Sequence, residues 1–391
     1  MTVFKVSRCP HCGAYRHINW GSYSRCVVYK YKKIKKIKVQ RYRCKSCNKT
    51  FSKLPKDVLS GLRYSKSAII HMLERKYLYT TGLRKVGKES DRETIYPAST
   101  IWKYIQRIAP KSIEALKNLK IPFSGVISID ENYYKCDGGI GVHILVSAVY
   151  SDRNGQYTVI IGSEDFKVKY SEEAKRDRRK AKKEIREVLS EHIEKVLQDV
   201  AERFGVTEVR MVSTDDEPIY SRVIPEIFPF AVHRICLWHI MKNIIKALTK
   251  ELGDLPFIQN IIYLLKNLWS TKTQKEAIRI VDTIAGILKG LSKKLYRRFI
   301  KLKERIIENK VGLFNFRTNN PSEWTFARIE PGIKIMKSFQ SDDGMGNYLW
   351  NAAMYNNCSC FVDGKHKGKS PLELVCPSGV GAEDMTPFYY V

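Results

Sequence analysis

Two apolar, strand-like runs that each end in an aspartate constrain this chain more than any other feature. The first, Val126-Ile127-Ser128-Ile129, ends in Asp130, and the second, Val209 to Thr214, ends in Asp215. Short apolar runs bounded by turn residues read as strands buried on both faces. Gly141–Tyr150 and Gln156–Ile161 read as two more, joined by the turn Ser151-Asp152-Arg153-Asn154-Gly155. Helical spacing follows in the charged segment Ser171–Arg203 and again at Glu217–Ile224, and Phe228–His233 reads as a short strand. This order predicts an α/β fold with a mixed sheet flanked by helices. From Ile235 to about Asn309 the spacing is continuously helical, and a further helix is predicted at Met345–Asn357.

Side chains alternate across a strand, so Asp130 shares a face with Ser128 while Glu131 points the other way. The same argument separates Asp215 from Asp216. An aspartate at a strand end is often only a turn former. Two of them in one sheet, with Glu323 on a helix, can instead converge on a pair of divalent metals, as phosphodiester cleavage requires. Glu323 also has a local explanation, because Asn320-Pro321-Ser322-Glu323 fits a capping box with Pro at the first helical position.

The N-terminal segment carries a second chemistry. Cys9-Pro10-His11-Cys12 and Cys44-Lys45-Ser46-Cys47 are two C-x2-C pairs separated by 31 residues, the spacing of a zinc ribbon with four thiolate ligands. His11 reads as a surface residue. The segment between is rich in Tyr, Val and Ile and predicts a β-hairpin with a charged outer face. Residues 1–50 carry fourteen Lys and Arg and no acidic residue, within a chain of 391 residues and net charge +29. Such a field attracts a polyanion, so nucleic acid is the leading partner.

Pro55 to about Asn118 reads as helices: an amphipathic one over Ser65–Tyr77, and a second that Ser99 caps and Pro110 limits. The pair is either a helix-turn-helix or a plain helical connector. No stretch approaches 18 uninterrupted apolar residues and no signal peptide is apparent. The expectation is a soluble intracellular protein with no membrane partner. The remaining cysteines (Cys26, Cys136, Cys236, Cys358, Cys360 and Cys376) read mostly as buried or incidental thiols.

Several of these pieces together resemble the Mutator-like DDE transposases. They are Asp130 after a β run, Ser213-Thr214-Asp215, Phe228-Pro229 leading to His233-Arg234-Ile235-Cys236-Leu237-Trp238-His239, and Thr318-Asn319-Asn320-Pro321-Ser322-Glu323. The resemblance spans roughly residues 124–357. It implies an RNase H-like mixed sheet with an all-helical insertion, preceded by a zinc ribbon and a helix-turn-helix. The expected domains are the ribbon at 1–54, the DNA-binding helices at 55–118, the catalytic domain at 119–239 and 313–391, and the insertion at 240–312.

Carried over motif by motif, the resemblance makes Asp130, Asp215 and Glu323 a catalytic triad holding two Mg²⁺ or Mn²⁺ ions, beside a structural Zn²⁺ in the ribbon. Cys236 and His239, three residues apart, read as a packed thiol and a hydrogen-bonded histidine, or as auxiliary metal ligands with His233 as a third. Arg328, Lys334 and Lys337 are either phosphate contacts or a solvated basic face. The implied partners are double-stranded DNA (terminal inverted repeats and target) and further copies of the chain. The implied setting is a chromosome-associated, cytoplasmic one in a prokaryotic host. Two rival readings are a transposase-derived DNA-binding regulator without catalysis and an RNase H-like structure-specific nuclease.

Overall fold

The structure is a computed structural model and describes residues 8–30, 34–55, 57–78, 83, 88–90, 93–94, 96–253, 256–271, 273–308, 320–336 and 338–376. They fall into two compact units. The first comprises residues up to Ser112 with Pro331–Met336, and the second Ile113–Glu330 with Lys337–Gly379.

In the first unit, strands β1 (His17–Val28), β2 (Ile34–Cys44) and β3 (Thr50–Lys53) form an antiparallel sheet. Its exposed residues include lysines of β2 but also Ile18, Trp20, Tyr23 and Ile34, so the outer face is not uniformly charged, while Val27, Val28 and Val39 are buried. Helix α1 (Lys66–Leu78) begins where Ser65 Oγ accepts from Ala68 N at 3.2 Å, a side-chain cap for an otherwise orphaned donor. A two-stranded ribbon of β4 (Lys88–Ser90) and β5 (Glu93–Thr94) precedes α2 (Ala98–Lys117). The connection between α1 and α2 is therefore more than a short polar turn.

Two local expectations are corrected here. The helix α2 starts one residue before Ser99, on the Pro97 carbonyl, and it runs through Pro110 to Lys117. Pro110 is solvent-exposed, so its ring adds no buried obstacle to the helix.

The second unit is built on a five-stranded sheet. Its strands are β6 (Val126–Cys136), β7 (Gly139–Asp152), β8 (Gly155–Val168), β9 (Met211–Thr214) and β10 (Val232–Ile235), in the order β10-β9-β6-β7-β8. The first three in sequence form an antiparallel meander, and β9 and β10 join it in parallel. Antiparallel neighbours need only tight turns. The parallel ones need crossovers, supplied by α3 (Glu172–Arg176) with α4 (Arg178–Phe204) and by α5 (Pro218–Ile227).

Period-two alternation along β8 gives each face its own helix. Gly162 lies against Val196 and Val200 of α4, and the Phe166 ring stacks on His192 of the same helix at 4.0 Å. Asp165 turns the opposite way, to α11 (introduced below). The register between β7 and β8 slips after Val146, leaving Ile161 as an extra residue.

Helices α6 (Leu237–Leu252), α7 (Pro256–Ser270), α8 (Gln274–Leu291) and α9 (Lys293–Glu308) fill the segment read as a helical insertion. They enclose a core that also takes in Ile235 of β10 and includes Ile240, Leu248, Leu265, Val281, Leu288 and Phe299. Helix α10 (Asn320–Lys334) then carries Glu323 in its first turn, and α11 (Asp342–Cys358) returns to the sheet, followed by α12 (Pro371–Val375).

On α11, Trp350 Nε1 donates to Asp165 Oδ1 at 3.0 Å, and Gly346 lets the helix approach that carboxylate. Asn357 repairs the bulge. Its Oδ1 accepts from Ile160 N at 2.8 Å and its Nδ2 donates to Ile160 O at 2.7 Å, as a neighbouring strand would. Among the described residues no helix is long and apolar enough to cross a membrane.

Candidate active site and metal centres

Sheet register assembles the main site. Ser128 of β6 pairs with Ser213 of β9, and Ser213 pairs with Arg234 of β10. Two residues further along each parallel strand stand Asp130, Asp215 and Cys236. Two carboxylates and a thiol thus form one row, Asp215 and Cys236 just past the carboxyl ends of β9 and β10 and Asp130 within the longer β6. The row is held by backbone, since Cys236 N donates to Thr214 O at 2.7 Å.

His239 and Glu323 complete the cluster. Cys236 is the residue before α6, so His239 falls in the first helical turn beside it. His239 Nδ1 lies 2.7 Å from Asp215 Oδ1, and its Nε2 lies 3.5 Å from Glu323 Oε1. The imidazole therefore stands between two carboxylates that are distant in sequence. The 2.7 Å approach is not a well-aligned hydrogen bond: both atoms are buried and neither completes one of acceptable angle.

The electrostatics follow from burial and crowding. Asp130 is pushed well above the usual carboxylate range, first by burial, then by the charges of Asp215 and Glu131. Burial likewise raises Glu131 to about 7, although the Tyr220 hydroxyl donates to it and favours its ionised form. Burial alone would lower His239, but its contacts with Asp215 and Cys236 outweigh that and raise it to about 10. Crowded acids with raised affinity for protons form a site where added positive charge is stabilising.

A carboxylate oxygen of Asp215, the Cys236 thiol and a ring nitrogen of His239 lie within 4.8 Å of one another. The third partner of the Cys236–His239 pair is thus Asp215 and not His233, whose Nε2 lies 2.8 Å from Thr214 Oγ1. Sequence spacing could suggest Cys236 and His239. It could not supply Asp215, whose nearness depends on the parallel register of β9 and β10.

The ribbon cysteines form the second cluster. Cys9 Sγ lies 3.7 Å from Cys47 Sγ, and Cys12 Sγ lies 3.6 Å from Cys44 Sγ. Ligands of one tetrahedral zinc, at a Zn–S length near 2.3 Å, stand about 3.8 Å apart. The donor set and spacing fit zinc. They do not fit disulfides, whose sulfurs bond at about 2.05 Å. The Cys44 thiol is pulled down to about 6, chiefly by the backbone N–H of Cys47, with Ser46 N also donating at 3.3 Å. Thiolate is the ligating form, so these amides favour metal binding at Cys44, while at Cys12 the Ala14 amide is outweighed by the neighbouring thiols, which favour the protonated form.

The basic candidates separate. Arg328 is half-buried: its Nη2 donates to Ser359 O at 3.0 Å and to Ser359 Oγ at 2.9 Å, with the guanidinium 4.7 Å from the Phe361 ring centre. That is a packing role at the end of α11. Lys334 is exposed in the last turn of α10, and Lys337 lies outside the described residues. Thr318, Asn319 and the side chains of Asn320 to Ser322 also lie outside them, so the capping box around Glu323 goes undescribed.

Residues 9–96 match a family described as a domain of unknown function (DUF6431). This covers the ribbon and α1 but stops short of the carboxylate row. No curated protein matches the chain.

Proposed function

We propose that this chain is a DDE transposase of the Mutator-like kind, which binds element ends and carries out metal-dependent DNA cleavage and strand transfer. The observation that supports this reading is that Asp130 and Asp215 each follow a paired serine of neighbouring strands, with Glu323 3.5 Å from the His239 that contacts Asp215. An antiparallel meander joined by two parallel strands, with helices on its faces, supports an RNase H-like reading of the sheet. The four helices packed around one core between β10 and Glu323 support the insertion before the last carboxylate.

The donor chemistry fits the ions the reading needs. Asp130, Asp215 and Glu323 offer hard oxygens, which suit Mg²⁺ or Mn²⁺. Two such ions would activate water, or later a 3′-hydroxyl, and stabilise the leaving oxygen. The chain's own part is positioning. Pairing of β6 with β7 fixes Asp130, β9 delivers Asp215 just past its end, α10 places Glu323 beside His239, and Tyr220 holds Glu131.

Charge supports DNA as the partner. The net charge is +29, and on the ribbon surface the Arg43 guanidinium lies 4.7 Å from the centre of the half-exposed Trp20 ring. Cations beside exposed aromatic rings suit phosphate and base contacts. In this reading the ribbon and the helices α1 and α2 recognise terminal repeats, and copies of the chain pair two element ends.

The test uses Asp130→Asn, Asp215→Asn and Glu323→Gln. Each variant should lose cleavage while its binding to element ends, followed by mobility shift, stays intact. Undiminished cleavage by any one of them removes that residue from the triad.

A further inference from the structure

We infer that the chain also holds a zinc-class ion on Asp215, Cys236 and His239, separate from the four-thiolate ribbon. The three donors lie within 4.8 Å of one another at the ends of β9 and β10. Cys236 is 1% exposed, so its thiol belongs to the interior of the cluster. His239 Nδ1 and Asp215 Oδ1 are buried and 2.7 Å apart without a completed hydrogen bond. Buried polar atoms are ordinarily satisfied, and two such atoms facing each other unsatisfied are placed as ligands of a common cation are.

The donor set selects the metal. A thiolate, an imidazole and one carboxylate suit zinc, whereas magnesium takes oxygen donors in octahedral geometry. The backbone places the ligands in advance. Cys236 N is fixed to Thr214 O at 2.7 Å, and Ile240 N donates to Cys236 O at 3.2 Å, closing the turn that presents His239.

With Nδ1 turned to Asp215, the opposite nitrogen faces Glu323 Oε1 at 3.5 Å. Zinc-bound histidines commonly carry such an outer carboxylate, which fixes the ring and its tautomer. Nitrogen and oxygen ligands of one tetrahedral zinc stand about 3.3 Å apart. Binding therefore opens the 2.7 Å contact slightly and leaves a fourth position for water. Asp215 also belongs to the proposed hard-ion site, so zinc and magnesium compete for that carboxylate.

The test is a metal count that involves no cleavage, so it stands or falls apart from the transposase reading. The full-length chain is equilibrated with zinc, freed of excess by gel filtration and analysed by atomic emission beside Cys236→Ser and His239→Gln. The expected result is one zinc for each of the two donor groups in the wild type, and loss of one zinc in both variants. A single zinc in the wild type, or retention of the second by either folded variant, overturns the inference. If Cys236→Ser fails to fold by circular dichroism, His239→Gln decides, because its side chain is 22% exposed and packs less tightly.

Discussion

Asp130 and Asp215 stand at equivalent positions on neighbouring parallel strands, each two residues beyond a paired serine, Ser128 and Ser213. The carboxylates are neighbours because of sheet register, before any side-chain contact is considered. Burial first, and then the charges of Asp215 and Glu131, raise the proton affinity of Asp130. A cation beside Asp130 would offset the cost of ionising it there. The proposed ions supply that charge.

Asn357 substitutes for a strand neighbour at the bulge in β8. Asn357→Ala leaves the amide and carbonyl of Ile160 without those buried partners. The expected cost is about 2–4 kcal/mol, seen as a lower midpoint in urea unfolding followed by circular dichroism. An unchanged midpoint contradicts the role given to Asn357.

Gly346 permits the close approach of α11 to β8. A Cβ at that position would lie 2.4 Å from Asp165 Oδ2. Gly346→Ala should therefore destabilise the chain by about 1–3 kcal/mol and lower its Tm. Gly286, which has open space around it, is the control: Gly286→Ala should not lower the Tm.

His143 is fully buried, with Nε2 2.9 Å from Ser163 Oγ, and burial lowers its pKa to about 3. The unfolded chain binds a proton near pH 6.5 while the folded chain does not. Its contribution to stability is therefore full above pH 6.5 and is lost as pH falls toward 3. The slope from this one group is at most about 1.4 kcal/mol per pH unit. In urea titrations across that window, His143→Gln should flatten the dependence. An equal slope in the variant removes His143 as its source.

The ribbon should depend on its metal. A strong chelator should make Cys9, Cys12, Cys44 and Cys47 reactive toward a thiol reagent, with collapse of the β1-β2-β3 sheet, because metal binding and folding are linked in such sites. Unchanged thiol reactivity after chelation would show that these cysteines hold no ion.

Much of this organisation was legible from residue pattern. The two C-x2-C pairs gave the ribbon cluster, because ligand spacing is local. The apolar runs ending in Asp130 and Asp215 gave two strands, and unbroken helical spacing gave the segment α6 to α9. Runs and strands did not coincide: β6 and β8 outlast their apolar runs, and β9 starts at Met211 and not Val209. β10 is Val232–Ile235 and not Phe228–His233, because residues 229–231 form a turn. β6 continues through Asn132 and Tyr133 because it pairs with β7 as far as Cys136, and that pairing is not visible in hydrophobicity. The run read as Gln156–Ile161 continues past Gly162 to Val168 in β8, and the glycine admits α4. Pro110 looked like a helix end, and exposure made it tolerable. Neither the Asp215 contact of His239 nor the Tyr220 contact of Glu131 could be read, because each depends on the register or packing of separate elements.

The most direct test is a cleavage and joining assay on DNA carrying the ends of the encoding element, run with Mg²⁺, Mn²⁺ or EDTA beside Asp215→Asn. The account predicts joined products from the wild type that require a divalent ion and are absent from the variant. Specific end binding with no nicking under any metal, or nicking that Asp215→Asn retains, would contradict it.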